Sequence, residues 1–98
     1  MDRDEIIRLL SEHRPGLERL GVQSLALFGS TARDEAGEQS DVDFLVEFNG
    51  PGTFRAYMDL KFLLEELLGR RVDLVTRKAL KAALRDQVQR EAIHVPGF

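Results

Sequence analysis

Asp41 and Asp43 flank a single valine, Asp73 lies further along the chain, and a Gly29-Ser30 pair precedes Asp41 by ten residues, Thr31 to Ser40. Three carboxylates that converge repel one another and raise each other's pKa, so a site built from them needs a cation. Mg²⁺ suits oxygen ligands of this kind. It takes one or two carboxylates, keeps water, and completes its octahedron with phosphate oxygens, and two such ions can clamp an in-line displacement. Gly29 would let a phosphate approach the backbone closely, and Ser30 offers a hydroxyl and an amide. A short helix starting between Ser30 and Asp34 would favour an anion at its N-terminus, and Arg33 could add charge-assisted hydrogen bonds. Together these residues point to group transfer on a nucleoside triphosphate. Each also has a plainer reading. The Asp-x-Asp and Gly-Ser pairs could be turns, and Asp73 could be an ion-pair partner of Arg70 or Arg71.

Composition narrows the chemistry. The chain has 98 residues, 43% of them hydrophobic, which suits one domain spanning 1–98 and a modest core. It contains no Cys, and its two His, His13 and His94, are far apart, so thiol nucleophiles, disulfide frameworks and histidine-rich metal sites are excluded. The charged N-terminus precedes no long apolar run, so no signal peptide or membrane span is expected, and a cytoplasmic location is. The net charge of −3 hides an asymmetry: residues 1–50 carry 11 acids and 5 bases, residues 51–98 carry 6 acids and 9 bases. Arg70, Arg71, Arg77, Lys78, Lys81, Arg85 and Arg90 supply most of the basic half. Aromatic residues do not alternate with these cations, so nucleic-acid binding is not expected. A solvated helix face, or a local contact with phosphate or a partner, accounts for them.

The elements that must position the candidate residues read as follows. Asp2 to His13 has helical apolar spacing at Ile6, Ile7, Leu9 and Leu10, and a further helical turn should run to Leu20 and stop at Gly21. Val22 to Phe28 is a first strand, ended by Gly29. Asp41 to Phe48 is a second, with Val42, Phe44, Val46 and Phe48 on one face and Asp41, Asp43, Leu45 and Glu47 on the other. Thr53 should cap a helix over Phe54 to Leu68, closed by Gly69, with Tyr57, Leu60, Leu63, Leu64, Leu67 and Leu68 facing the core. Met58 and Phe62 fall outside that stripe, as ordinary packing or as a partner surface. Arg71 to Thr76 is a third strand. Leu80, Leu84 and Val88 mark a closing helix or helix pair reaching Ile93. For Gly29-Ser30, Asp41, Asp43 and Asp73 to meet, strands one and two must be antiparallel and two and three parallel, the helix between them being the crossover. The expected fold is α+β, a three-stranded mixed sheet flanked by helices.

The run Leu27-Phe28-Gly29-Ser30-Thr31-Ala32-Arg33 leading to Ser40-Asp41-Val42-Asp43-Phe44-Leu45-Val46 resembles the DNA polymerase β-like nucleotidyltransferase superfamily, and within it the minimal nucleotidyltransferases. The resemblance spans about Leu17 to Ile93. It implies that Gly29 and Ser30 contact the triphosphate and that Asp41 and Asp43 bind metal. It also implies that Asp73 joins in metal binding and activates the acceptor hydroxyl, and that Arg33 lies near the phosphates. Larger members carry an added domain for the acceptor, and none is expected within these 98 residues. Minimal members are paired with a small helical HEPN toxin and transfer AMP from ATP to a tyrosine hydroxyl of it. The resemblance therefore implies the antitoxin of such a pair, with ATP as substrate and Mg²⁺ as cofactor; Met58 and Phe62, outside the core stripe of their helix, are the expected part of the docking surface. A module acting by binding alone, or a transferase for a small-molecule or RNA acceptor, are the competing readings.

Overall fold

The computed structural model describes residues 2–35, 37 and 40–98. The polar segment expected between Ser30 and Asp41 lies partly outside them, at positions 36, 38 and 39. Helix α1 (Arg3–Glu12) is capped by Asp2, whose carboxylate accepts from the Glu5 N–H at 2.9 Å, while Asp4 and Glu5 complement the helix dipole in the first turn. It breaks at His13, and α2 (Arg14–Arg19) restarts with Pro15 in its opening turn, where a missing N–H costs no helical bond.

Strand β1 (Val22–Phe28) pairs antiparallel with β2 (Val42–Phe48), which pairs in parallel with β3 (Val72–Thr76). The crossover is α4 (Phe54–Leu68). Thr53 Oγ1 accepts from the Ala56 N–H at 3.0 Å to start it, and Gly69, at φ 64°, ends it. Leu60, Leu64 and Leu68 are buried against the sheet, with Tyr57, Leu63 and Leu67 at the margin of the same core. Burying each such leucine is worth about 1.5–3 kcal/mol. The Tyr57 hydroxyl donates to the Leu74 carbonyl at 2.6 Å and ties the helix to β3.

The chain departs from its sequence-based reading at the C-terminal end. The sheet has four strands in the order β3-β2-β1-β4, where three were expected. The closing helix, α5 (Ala82–Glu91), stops short of Ile93, and Ile93–His94 form β4 against Ala26 and Leu27 of β1. The free edge of β1 offers unpaired backbone groups, and a short extended segment satisfies them. Leu80 and Val88 are buried, but Leu84 is 46% exposed, so α5 buries a narrower stripe than its apolar spacing suggested. A turn of 3₁₀ helix, Arg77–Ala79, precedes it.

The two sheet faces bury unequal cores. One holds Phe44 and Val46 of β2 beneath α1, α2 and α4; the other is a small cluster of Ala26, Leu45, Leu80 and Val88 beneath α5. No helix among the described residues is long and apolar enough to cross a membrane. Phe54 and Phe62 are 80% and 59% exposed, and with half-buried Met58 they form an outward stripe on α4. Leu64→Ala should therefore cost about 2–5 kcal/mol in chemical denaturation, whereas Phe62→Ser should change stability by less than about 0.5 kcal/mol.

Candidate active site

Register places the candidate residues in a row. Phe28, the last residue of β1, faces Asp43, and Asp43 faces Asp73 on β3. Neighbouring strands lie about 4.8 Å apart, so these three residues, with Gly29 following, cross one rim of the sheet. Side-chain alternation puts Asp43 on the same face as Leu45, away from the larger core. Asp43 is half-buried; Asp41, one step before β2, and Asp73 are exposed.

Charge and burial act together on Asp43. Burial raises its carboxyl pKa first, the neighbouring carboxylates of Asp73 and Asp41 raise it further, and Arg33 opposes them. Gly29 lies directly against this carboxylate. Its backbone is left-handed, at φ 72°, and a Cβ there would run into the Asp43 side chain, with Cγ only 3.1 Å away. Glycine is thus required twice, by conformation and by the room Asp43 occupies.

The chain then turns into the single helical turn α3 (Gly29–Ala32), closed by Glu35 N–H donating to the Ser30 carbonyl at 2.8 Å. Arg3 of α1 donates to the Ala32 carbonyl at 3.0 Å and braces it from behind. Thr31 is buried, and its hydroxyl has no partner among the described residues. Arg33 donates to Glu35 at 3.1 Å and to Glu91 of α5 at 3.0 Å, and these bonds, Glu35 first, raise its already high pKa.

Gly29, Ser30, Asp43 and Asp73 therefore meet at one rim with Asp41 beside them, while Arg33 stands near Asp43 but is engaged by two carboxylates. The cations before β3 have other partners than the plainer reading gave them. Arg71 pairs with Asp41 at 3.5 Å rather than with Asp73, and Arg70 donates to the Gly37 and Ser40 carbonyls at 3.0 and 2.6 Å. Glu65 accepts from the Val72 N–H at 3.0 Å at the start of β3. Glu91 and Glu65 were not singled out from the sequence, and Arg70 was named only as a partner for Asp73 or as part of the basic half.

Among the described residues, no three His, Asp or Glu side chains are gathered closely enough to hold an ion on their own. The donor set fits Mg²⁺ nonetheless, because that ion binds through one or two carboxylates and fills its remaining positions with water and substrate phosphate.

Residues 10–95 match the nucleotidyltransferase domain family. The protein adenylyltransferase MntA of Thermococcus cleftensis is 43% identical over 93 residues, covering 94% of both chains. A solved structure described as a candidate minimal nucleotidyltransferase superposes with a TM-score of 0.81, at 45% identity and 95% coverage of each chain. A toxin-antitoxin structure with AMP-PNP superposes at 0.70, with 26% identity, over all of this chain and 75% of the other. With that likeness running through the Gly-Ser turn, both carboxylate strands and the crossover between them, the chain belongs to the nucleotidyltransferase domain family.

Proposed function

We propose that the protein is an adenylyltransferase that moves AMP from ATP onto a hydroxyl of a partner protein, a helical HEPN toxin, and so acts as its antitoxin. One observation carries this reading: a Gly29–Asp43–Asp73 row in a chain 43% identical to a protein adenylyltransferase over nearly its whole length. The reaction belongs in the cytoplasm.

In this reading Ser30 and the backbone at Gly29 hold the triphosphate, and Arg33 supplies positive charge beside it. Asp41 and Asp43, with Asp73, hold Mg²⁺, as one ion or a pair. The cation, when bound, neutralises charge on the α-phosphate and on the departing pyrophosphate. The acceptor oxygen attacks the α-phosphorus in line. Its proton passes to the exposed Asp73 carboxylate, the new O–P bond forms, and the bond to the β-phosphate breaks, pyrophosphate taking the electron pair. The half-buried site aligns Asp43 so that binding energy is not spent ordering it.

With radiolabelled ATP, Mg²⁺ and the partner toxin, the toxin should acquire label, and combined Asp41→Asn and Asp43→Asn should reduce labelling by about 10²-fold or more. Label surviving in the double variant would overturn the assignment, and protection from the toxin by that variant would favour the binding-only module. The three carboxylates give a second expectation. Asp43 keeps its proton to higher pH in the folded chain than at its ordinary value of 3.8, so folding stability falls as pH climbs from there through the raised value. Asp43→Asn should then melt at a higher temperature than the parent at pH 7 without metal, the gap closing below pH 3.8. In thermal denaturation, Mg²⁺ with ATP at about 100 times its dissociation constant should add about 2.7 kcal/mol, a Tm rise of roughly 10 °C or more. No rise would remove the nucleotide from the site.

A further inference from the structure

The basic C-terminal half is not used up by the rim. Arg77, Lys78 and Arg85 converge instead on a cleft of about 660 Å³ at the other end of β2 and β3. The cleft is walled by the 3₁₀ turn after β3, by α5, by Gln23 of β1 and by the Gly50–Gly52 loop after β2. Its size lies within the range of small-ligand sites, roughly 300–1,000 Å³. It is separate from the carboxylate rim. Glu47, in its wall, is four residues beyond Asp43 on the same face of β2, about 13 Å along the strand. The buried cluster of Ala26, Leu45, Leu80 and Val88 fills the face between them.

Three cations face one carboxylate there, a net two positive charges. Glu47 engages Arg77 at 2.8 Å, and Arg85 Nε donates to the Leu80 carbonyl at 3.3 Å, which fixes the base of its guanidinium. Lys78 is exposed and has no ion-pair partner among the described residues. The amides of Gln23 and Gln89 add neutral donors and acceptors to the same walls. Clustered cations of this kind, reached from two elements, match the several oxygens of a polyphosphate.

We propose that this cleft is a second anion site that takes a polyphosphate-bearing ligand through Arg77, Lys78 and Arg85. The ligand is a nucleotide or inorganic polyphosphate, and it is distinct from the triphosphate that reacts at the rim. The site does not depend on the chain being an adenylyltransferase.

Calorimetric titration in EDTA isolates it, because without a divalent cation the rim carboxylates repel a polyphosphate. The probes are inorganic tripolyphosphate and ATP. Tripolyphosphate should bind; combined Lys78→Glu and Arg85→Glu should weaken it about tenfold or more, and Arg33→Ala, at the rim, should change it by less than about twofold. Glu47→Gln should tighten binding several-fold by releasing Arg77, a gain that misfolding does not produce. Tighter binding of ATP than of tripolyphosphate identifies a nucleotide as the ligand, and equal binding identifies the polyphosphate itself. Absence of binding, or binding lost in Arg33→Ala and retained in the Lys78 and Arg85 variant, would overturn the proposal. Toxin labelling by that variant should match the parent, so loss of the cleft and loss of transfer are read independently.

Discussion

Two carboxylates of like charge, facing each other across a parallel strand pair, are the constraint that the rest of this structure serves. Asp43 and Asp73 are opposite by register, and Asp43 is half-buried, so its ionised form is opposed by burial and by its neighbours together. A packed sheet tolerates this only at a rim, where water still reaches Asp73, and with a cation close by. Arg33 partly fills that role. The cost is local, and the interactions that offset it are spread through the fold.

Parallel pairing is the expensive part of the arrangement, because it needs a crossover long enough to return the chain to the same end of the sheet. Helix α4 meets that need and repays it with buried leucine. The Tyr57 bond to Leu74 and the Glu65 bond to Val72 fix where β3 starts relative to α4, and hence where Asp73 sits relative to Asp43. Arg70 fastens the segment leading into β2 by bonding the Gly37 and Ser40 carbonyls. The reactive row crosses three strands, and Tyr57 and Glu65 of α4 together with Arg70 hold it in register.

What could be read from the chain in advance follows from how local each signal is. The carboxylate pair, the glycine after β1 and the leucine stripe of α4 are set by short-range sequence signals, so the rim and strands β1, β2 and β3 were legible. Gly29 was legible as a glycine but not for its full reason, since the room taken by the Asp43 side chain exists only once β1 and β2 pair. Strand β4 was not legible. Two residues carry no periodicity, and Ile93 reads equally well as the end of a helix; the unpaired edge of β1 decides the matter, and it lies more than sixty residues away. The Glu91 bond to Arg33 and the convergence of Arg77, Lys78 and Arg85 are products of tertiary folding in the same way.

Helix α5 touches both ends of this molecule. Its last turn holds Arg33 through Glu91, and its middle lines the basic cleft through Arg85 and Gln89, yet Val88 is its one buried residue. A helix of ten residues with so little apolar anchorage is marginal by itself and belongs to the class of element that opens without global unfolding. Its backbone amides should exchange with solvent well before those of α4. Each opening would release Arg33 and dismantle a wall of the cleft in a single event, so this lightly anchored helix sets a shared clock for both ends of the sheet.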